Sequence, residues 1–266
     1  MIKDFIYSLT NLQLFLLVVS LGVAISILGL LVTVRIIPPL VRKSHNEHVG
    51  FVIAVVGVVY AVVLAFIAIA VWETFDHCDA LVQREAGFAG DIYLDATSLP
   101  ATVRDQVQSE IATYAKTVVD EEWPAMARGE PIGQKGWQVL QGIRSNLSAF
   151  RSNDGIEVAL FSETFKALNL LYGARRERII ANTESVQAIV YAVIILGGLI
   201  TVAFTYFFGM HSFGLHLALT AGTGAMISLV ILLVVAFDHP FRGKVNIKPD
   251  AFTALLAEMQ GQKVER

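Results

Sequence analysis

Six carboxylates crowd one stretch of the chain, Glu73, Asp76, Asp79, Glu85, Asp91 and Asp95, and only Arg84 opposes them there. If the stretch is helical it carries a strongly acidic surface, and Glu73 and Asp76 stand at its start, just after an uncharged apolar run. In a ring of subunits around an axis, Glu73 and Asp76 would stack as acidic rings at a pore mouth, which attracts cations. The plainer reading, a solvated helix face, needs only the same residues.

Other reactive residue types offer less. The segment Asp238-His239-Pro240-Phe241-Arg242-Gly243 sets an acid beside an imidazole, but Pro240 reads as a helix stop. Asp238 reads as a turn former or as the partner of an arginine such as Arg175 or Arg176, in a basic cluster that also holds Arg178. His211 and His216 lie near a short turn with no carboxylate close by, so solvated imidazoles are a simpler reading than a metal pair. Cys78 is the only cysteine; it reads as a small buried apolar residue, since one chain can form neither a disulfide nor a cysteine-built metal site. There is no glycine-rich phosphate loop, nucleophile elbow or histidine pair at metal spacing on a helix. Glu121-Glu122-Trp123-Pro124 reads as acidic residues before a proline kink. The expectation is a non-enzyme with no catalytic residue, cofactor or metal.

The elements that must position these groups are dominated by lipid. Residues 12–34, 49–72, 185–209 and 211–237 contain no Asp, Glu, Lys or Arg. A run of 18 or more such residues crosses the hydrocarbon core as a helix. Only 16% of the chain is charged, against about 25% in soluble domains. The expected fold is an all-α integral membrane protein: 1–72 with spans one and two, a helical region 73–184, a hairpin of spans three and four at 185–237, and a tail 238–266. Residues 73–184 carry 17 acidic and 11 basic side chains, which excludes a nucleic-acid surface. Summed over all spans, Lys3, Arg84, Arg175, Arg176, Arg178, Arg242, Lys244 and Lys248 outnumber Arg35, Arg42 and Lys43 on the other side. The positive-inside rule then puts both termini and 73–184 in the cytoplasm of a bacterial inner membrane protein. The 23-residue first run reads as a retained span and not as a cleaved signal.

Within 73–184 the spacing predicts that span two continues as one helix from about residue 49 to 95. A helix through Val103, Val107, Ile111, Tyr114 and Val118 then runs to Trp123-Pro124, with further helices over 137–150 and 156–182. Two short amphipathic helices between two long ones are expected to need other subunits to cover their apolar faces.

Span two also carries Gly50, Ala54, Gly57, Ala61, Ala65 and Ala68, spaced 4, 3, 4, 4 and 3 residues apart. Such a stripe of small residues is read either as a close-packing seam or as the lining of a narrow apolar conduit shared with other subunits. Gly22, Ser26 and Gly29 mark a similar seam in span one, as do Gly197, Thr201, Thr205 and Gly209 in span three and Thr220, Gly224 and Ser228 in span four. No span has a charge at its centre, which argues against ion-coupled transport.

In this order, Val71-Trp72-Glu73, Glu85-Ala86, Tyr114, Glu122-Trp123-Pro124, Arg175-Arg176-Glu177-Arg178, Phe204 to Gly209 and Asp238 to Gly243 resemble the bestrophin-like family of bacterial membrane proteins. The departures are Thr183-Glu184-Ser185-Val186, where a Leu-Pro is usual, and Tyr191, where a tryptophan is usual. The wider resemblance, to bestrophin channels, implies a homo-oligomer, a pentamer by analogy, that passes inorganic ions through a lipid bilayer along its second-span helices. The bulky neck of those channels has no residue-by-residue match here, and their acidic calcium cluster has none in the 238–266 tail. A passive ion channel is the first reading. A non-conducting scaffold or sensor with a cytoplasmic partner, and a stator-type proton-channel subunit, are the alternatives.

Overall fold

The computed structural model describes residues 6, 7, 9–149 and 153–264. Lys3, counted in the charge bias, and Phe150, at the end of an expected helix, lie outside them. All regular structure among the described residues is helical, and four helices are long and apolar enough to cross a membrane. The chain divides into two compact units.

The first unit comprises Met1–Phe75, Ser185–His239 and Gly243–Val245. Helix α1 (Asn11–Ile36) opens on a capping box in which Thr10 and Gln13 satisfy each other's backbone N–H groups. The short α2 (Pro39–Ser44) follows, and then α3 (Asn46–Asp95), whose 50 residues run unbroken from this unit into the second. Helix α8 (Ala188–Tyr206) and α9 (Phe213–Phe237) complete the spans.

Small residues bring α1 and α9 together. A Cβ on Gly22 would lie 1.8 Å from the Ser228 hydroxyl, and one on Gly224 would lie 2.1 Å from that of Ser26. Both serines donate to carbonyls of their own helices, Gly22 and Gly224 at 2.7 and 2.8 Å, so their hydroxyls are satisfied within each helix. Gly22 and Ser26 of span one meet Gly224 and Ser228 of span four, whereas Gly29 faces Tyr206 and Thr220 meets Thr205, both toward α8. On α3, Tyr60, Leu64 and Val71 pack against Ile194 of α8 and Val234 of α9. The Tyr60 ring fits over Gly197, where a Cβ would come within 2.5 Å, and its hydroxyl donates to the Ile194 carbonyl at 2.6 Å.

His216 is buried and its Nε2 meets the Thr205 carbonyl at 2.9 Å, so the solvated reading fails for it; His211 is exposed as expected. The hairpin turn is tight enough to bury the ring beneath the last turn of α8.

The second unit comprises Asp76–Glu184, Pro240–Arg242 and Asn246–Arg266. After a 3₁₀ turn, Ala96–Ser98, come α4 (Ala101–Thr117), a π-helical turn (Val118–Glu122) and α5 (Trp123–Arg128). Then follow α6 (Lys135–Ala149), α7 (Gly155–Thr183) and α10 (Asp250–Val264). The helix passes through Trp123-Pro124 to Arg128, where the sequence suggested an end. A proline inside an α-helix clashes with the carbonyl four residues back, and the wider π turn just before Pro124 relieves that; Trp123 N–H bonds Val118 five residues back.

Within the 238–266 tail α10 is helical, and its Phe252 packs against Tyr114 and Trp123. One further expectation changes. The short helices also cover their own apolar faces: Val107, Ile111, Leu140, Ile143 and Leu147 are fully buried within one chain. Helices α7 and α10 supply the cover, so this feature does not itself call for other subunits.

Candidate functional site

Three groups of residues carry the functional question. The first is the small-residue stripe of α3. Ala54, Ala61 and Ala65 are exposed, and Gly50, Gly57 and Ala68 are partly so. A Cβ on Gly57 would meet nothing within 4 Å, and one on Gly50 only the edge of Phe208 at 4.0 Å. The stripe is therefore not a seam against another span of its own chain. That role falls to Tyr60, Leu64 and Val71, about 100° round the helix from Ala61, Ala65 and their neighbours. Every other glycine seam in this unit is filled by its own chain, which leaves the α3 stripe as the exception.

The second group is the acidic continuation of α3. Glu73 and Asp76 are both exposed, three residues apart on the same helix. Asp79 is partly buried and Glu85 completely so. The carboxylate series is thus not one solvated face, because Glu85 has left it for the core.

The third group was not legible as a site in the sequence. Glu85, Tyr114, Glu122, Arg175 and Arg178 meet in the interior of the second unit, none more than 3% exposed. Arg175 grips Glu122 with both terminal nitrogens, at 2.6 and 2.9 Å. Arg178 bridges the two acids, with Nε 2.5 Å from Glu85 and Nη2 2.7 Å from Glu122. The Tyr114 hydroxyl donates to Glu85. The Trp137 ring lies 4.7 Å from the Arg175 guanidinium and the Trp123 ring 5.5 Å from that of Arg178, so the cations are stacked as well as paired. Gly136 leaves room for the pair, since a Cβ there would fall 2.4 Å from Arg175 and 2.5 Å from Glu122 and displace them.

The set is neutral, two cations against two anions, and its geometry ties α3, α4, the π turn and α7. Every carboxylate oxygen in it is bonded, so the set acts as a brace; among the described residues only the Arg175 Nε of the set is buried without a hydrogen-bond partner. The signal in sequence is a charge on an apolar face: Glu85 recurs with Cys78, Leu81, Val82 and Ala89, and Arg178 with Leu171, Ala174 and Ala181, all buried.

Burial alone would push the Glu122 carboxyl up, but the hydrogen bonds from Arg175 and the charge of Arg178 outweigh it and hold it below the usual carboxylate range. Burial likewise disfavours the Arg178 charge, and Glu85 more than restores it. A depressed Glu122 stabilises the fold above the unfolded-state value of about 4.3 and loses that contribution as pH falls through and below it. The thermal midpoint of the full protein in detergent is therefore expected to fall on acidification below about pH 5, with a shallower acid slope in Glu122→Gln. Equal acid slopes in the two proteins would contradict this role.

Of the expected charge partners, Arg175 and Arg178 belong to the brace and Arg176 is exposed. Among the described residues Asp238 pairs with no arginine; it accepts from the Val186 N–H and, at 3.0 Å, from the Tyr191 hydroxyl, fastening the start of α8.

These features define a class: an all-helical, four-span membrane protein with a buried ionic brace between its helices. A family model, the Bestrophin-like domain, matches residues 21–252, and the chain belongs to that family. The fold is also that of a bacterial bestrophin homologue from Klebsiella pneumoniae in a point-mutant crystal structure. There the TM-score is 0.63 at 15% identity, covering 93% of this chain and 99% of that one. A second crystal structure, described as a membrane protein with a substitution, gives 0.63 at 14% identity over the same shares. A comparison with curated protein sequences finds no match. Five of the residues that suggested the family in the sequence, Glu85, Tyr114, Glu122, Arg175 and Arg178, form the brace.

Proposed function

We propose that this protein is an oligomeric, passive ion channel of the bacterial inner membrane, pentameric by analogy with bestrophins, in which α3 helices surround the conduction path. The observation that carries this reading is the stripe of Gly50, Ala54, Gly57, Ala61, Ala65 and Ala68, unpartnered within its own chain. Small residues on a spanning helix serve close approach of another backbone, and here the approaching helix must come from another subunit. Residues 73–184 and both termini lie in the cytoplasm, and Glu73 and Asp76 ring the inner mouth. The spans carry no central charge to couple transport to a gradient.

Purified protein in planar bilayers tests the reading. Single-channel currents without any added subunit are expected; silence would favour a scaffold, and current only with a second membrane protein would favour a stator-type subunit. With conduction in hand, Glu73→Gln/Asp76→Asn should move the reversal potential in a salt gradient away from the cation side. An unchanged reversal potential removes the acidic mouth from the account.

A further inference from the structure

The first unit contains an apolar groove of about 350 Å³ between α1, α8 and α9. On α1 its lining runs from Leu14 to Ser26 and on α9 from Gly224 to Val235, a height of about 17 Å. That is close to one leaflet of a hydrocarbon core about 30 Å thick. At one end Val235 accepts from the Tyr7 hydroxyl at 3.5 Å, and the Tyr7 ring lies edge-on to His239 at 5.2 Å, an aromatic and polar rim of the kind found at headgroup level. The other end stops at the Ser26–Gly224 crossing, where both serine hydroxyls are turned to their own helices.

We propose that this groove holds one acyl chain of a membrane phospholipid, entering from the leaflet on the side of the chain's N-terminus. The groove begins at an interfacial rim and ends at mid-bilayer, as an acyl chain does. Its walls offer nothing polar to an ion.

The test uses the full chain in nanodiscs with phosphatidylethanolamine carrying a photoactivatable diazirine midway along one acyl chain. Adducts on Leu21 and Leu199, which line the groove, should exceed those on Leu16, equally exposed on α1 but outside it, by about tenfold. Ile195→Phe, which fills the groove from α8, should bring Leu21 down to the Leu16 level and release one co-purifying phospholipid per chain. Should that variant fail to fold, Ile231→Phe fills it from α9 with the same expectation. Labelling that follows exposure alone, or lipid retained with the groove filled, overturns the proposal.

Discussion

Arg178→Met is expected to lower the stability of the protein by about 3–5 kcal/mol, the cost of leaving a buried carboxylate without its partner. Among the described residues, Arg178 is the single cation that touches both Glu85 and Glu122. Its removal leaves Glu85, which is fully buried, with only the Tyr114 hydroxyl. Methionine keeps most of the stem's apolar packing, so the loss reports the charge. The neighbouring Arg176→Met, exposed on the same helix, is the control and should stay within about 0.5 kcal/mol. Adding Glu85→Gln to Arg178→Met should recover a large part of the loss, because the amide needs no counter-charge and still accepts from Tyr114. Thermal or urea unfolding of the full chain in detergent, followed by helical circular dichroism, reads all three. Equal midpoints for the Arg178 and Arg176 variants would show that the brace does not hold the fold.

The distribution of charge over helix faces explains how far the sequence could be read. The four spans stand out because lipid tolerates neither uncompensated charge nor unpaired backbone, and that single penalty outweighs every local preference. The buried stripe of α4 and the π turn after it, through Val107, Ile111, Tyr114 and Val118, follows from period alone. Pairings between distant elements do not. Glu85 and Arg178 are 93 residues apart, and nothing in local spacing says which cation a buried acid will find. The quoted motif residues pointed to a family without saying that they converge in space. Helix α10 was missed for a related reason: Phe252, Leu255 and Met259 have helical spacing, but the rings Phe252 packs on, Tyr114 and Trp123, lie about 130 residues earlier in the chain. The run through Pro124 was missed because a π turn leaves no composition signal.

The α3 stripe is where fold and function separate most cleanly, and Gly57→Leu is the substitution that separates them. A Cβ at Gly57 meets nothing within 4 Å of its own chain, so the protomer accepts the larger side chain. Helix propensity even favours the change, by roughly 1 kcal/mol. Gly22→Leu is the contrasting case: it drives atoms into Ser228 and should destabilise the protomer by about 1–3 kcal/mol. If α3 helices approach one another around an axis, the leucine at 57 fills the space between them. The expected result is a protomer with an unchanged thermal midpoint but with single-channel conductance lowered at least tenfold or with the oligomer dissociated, the scale set by a loss of about 1.4 kcal/mol or more at that contact. Native mass spectrometry in detergent reports the oligomer, and planar-bilayer recording the conductance. A side chain that faced lipid would leave both unchanged, since a leucine is as apolar as the tails around it. That outcome would place the pathway elsewhere than along α3.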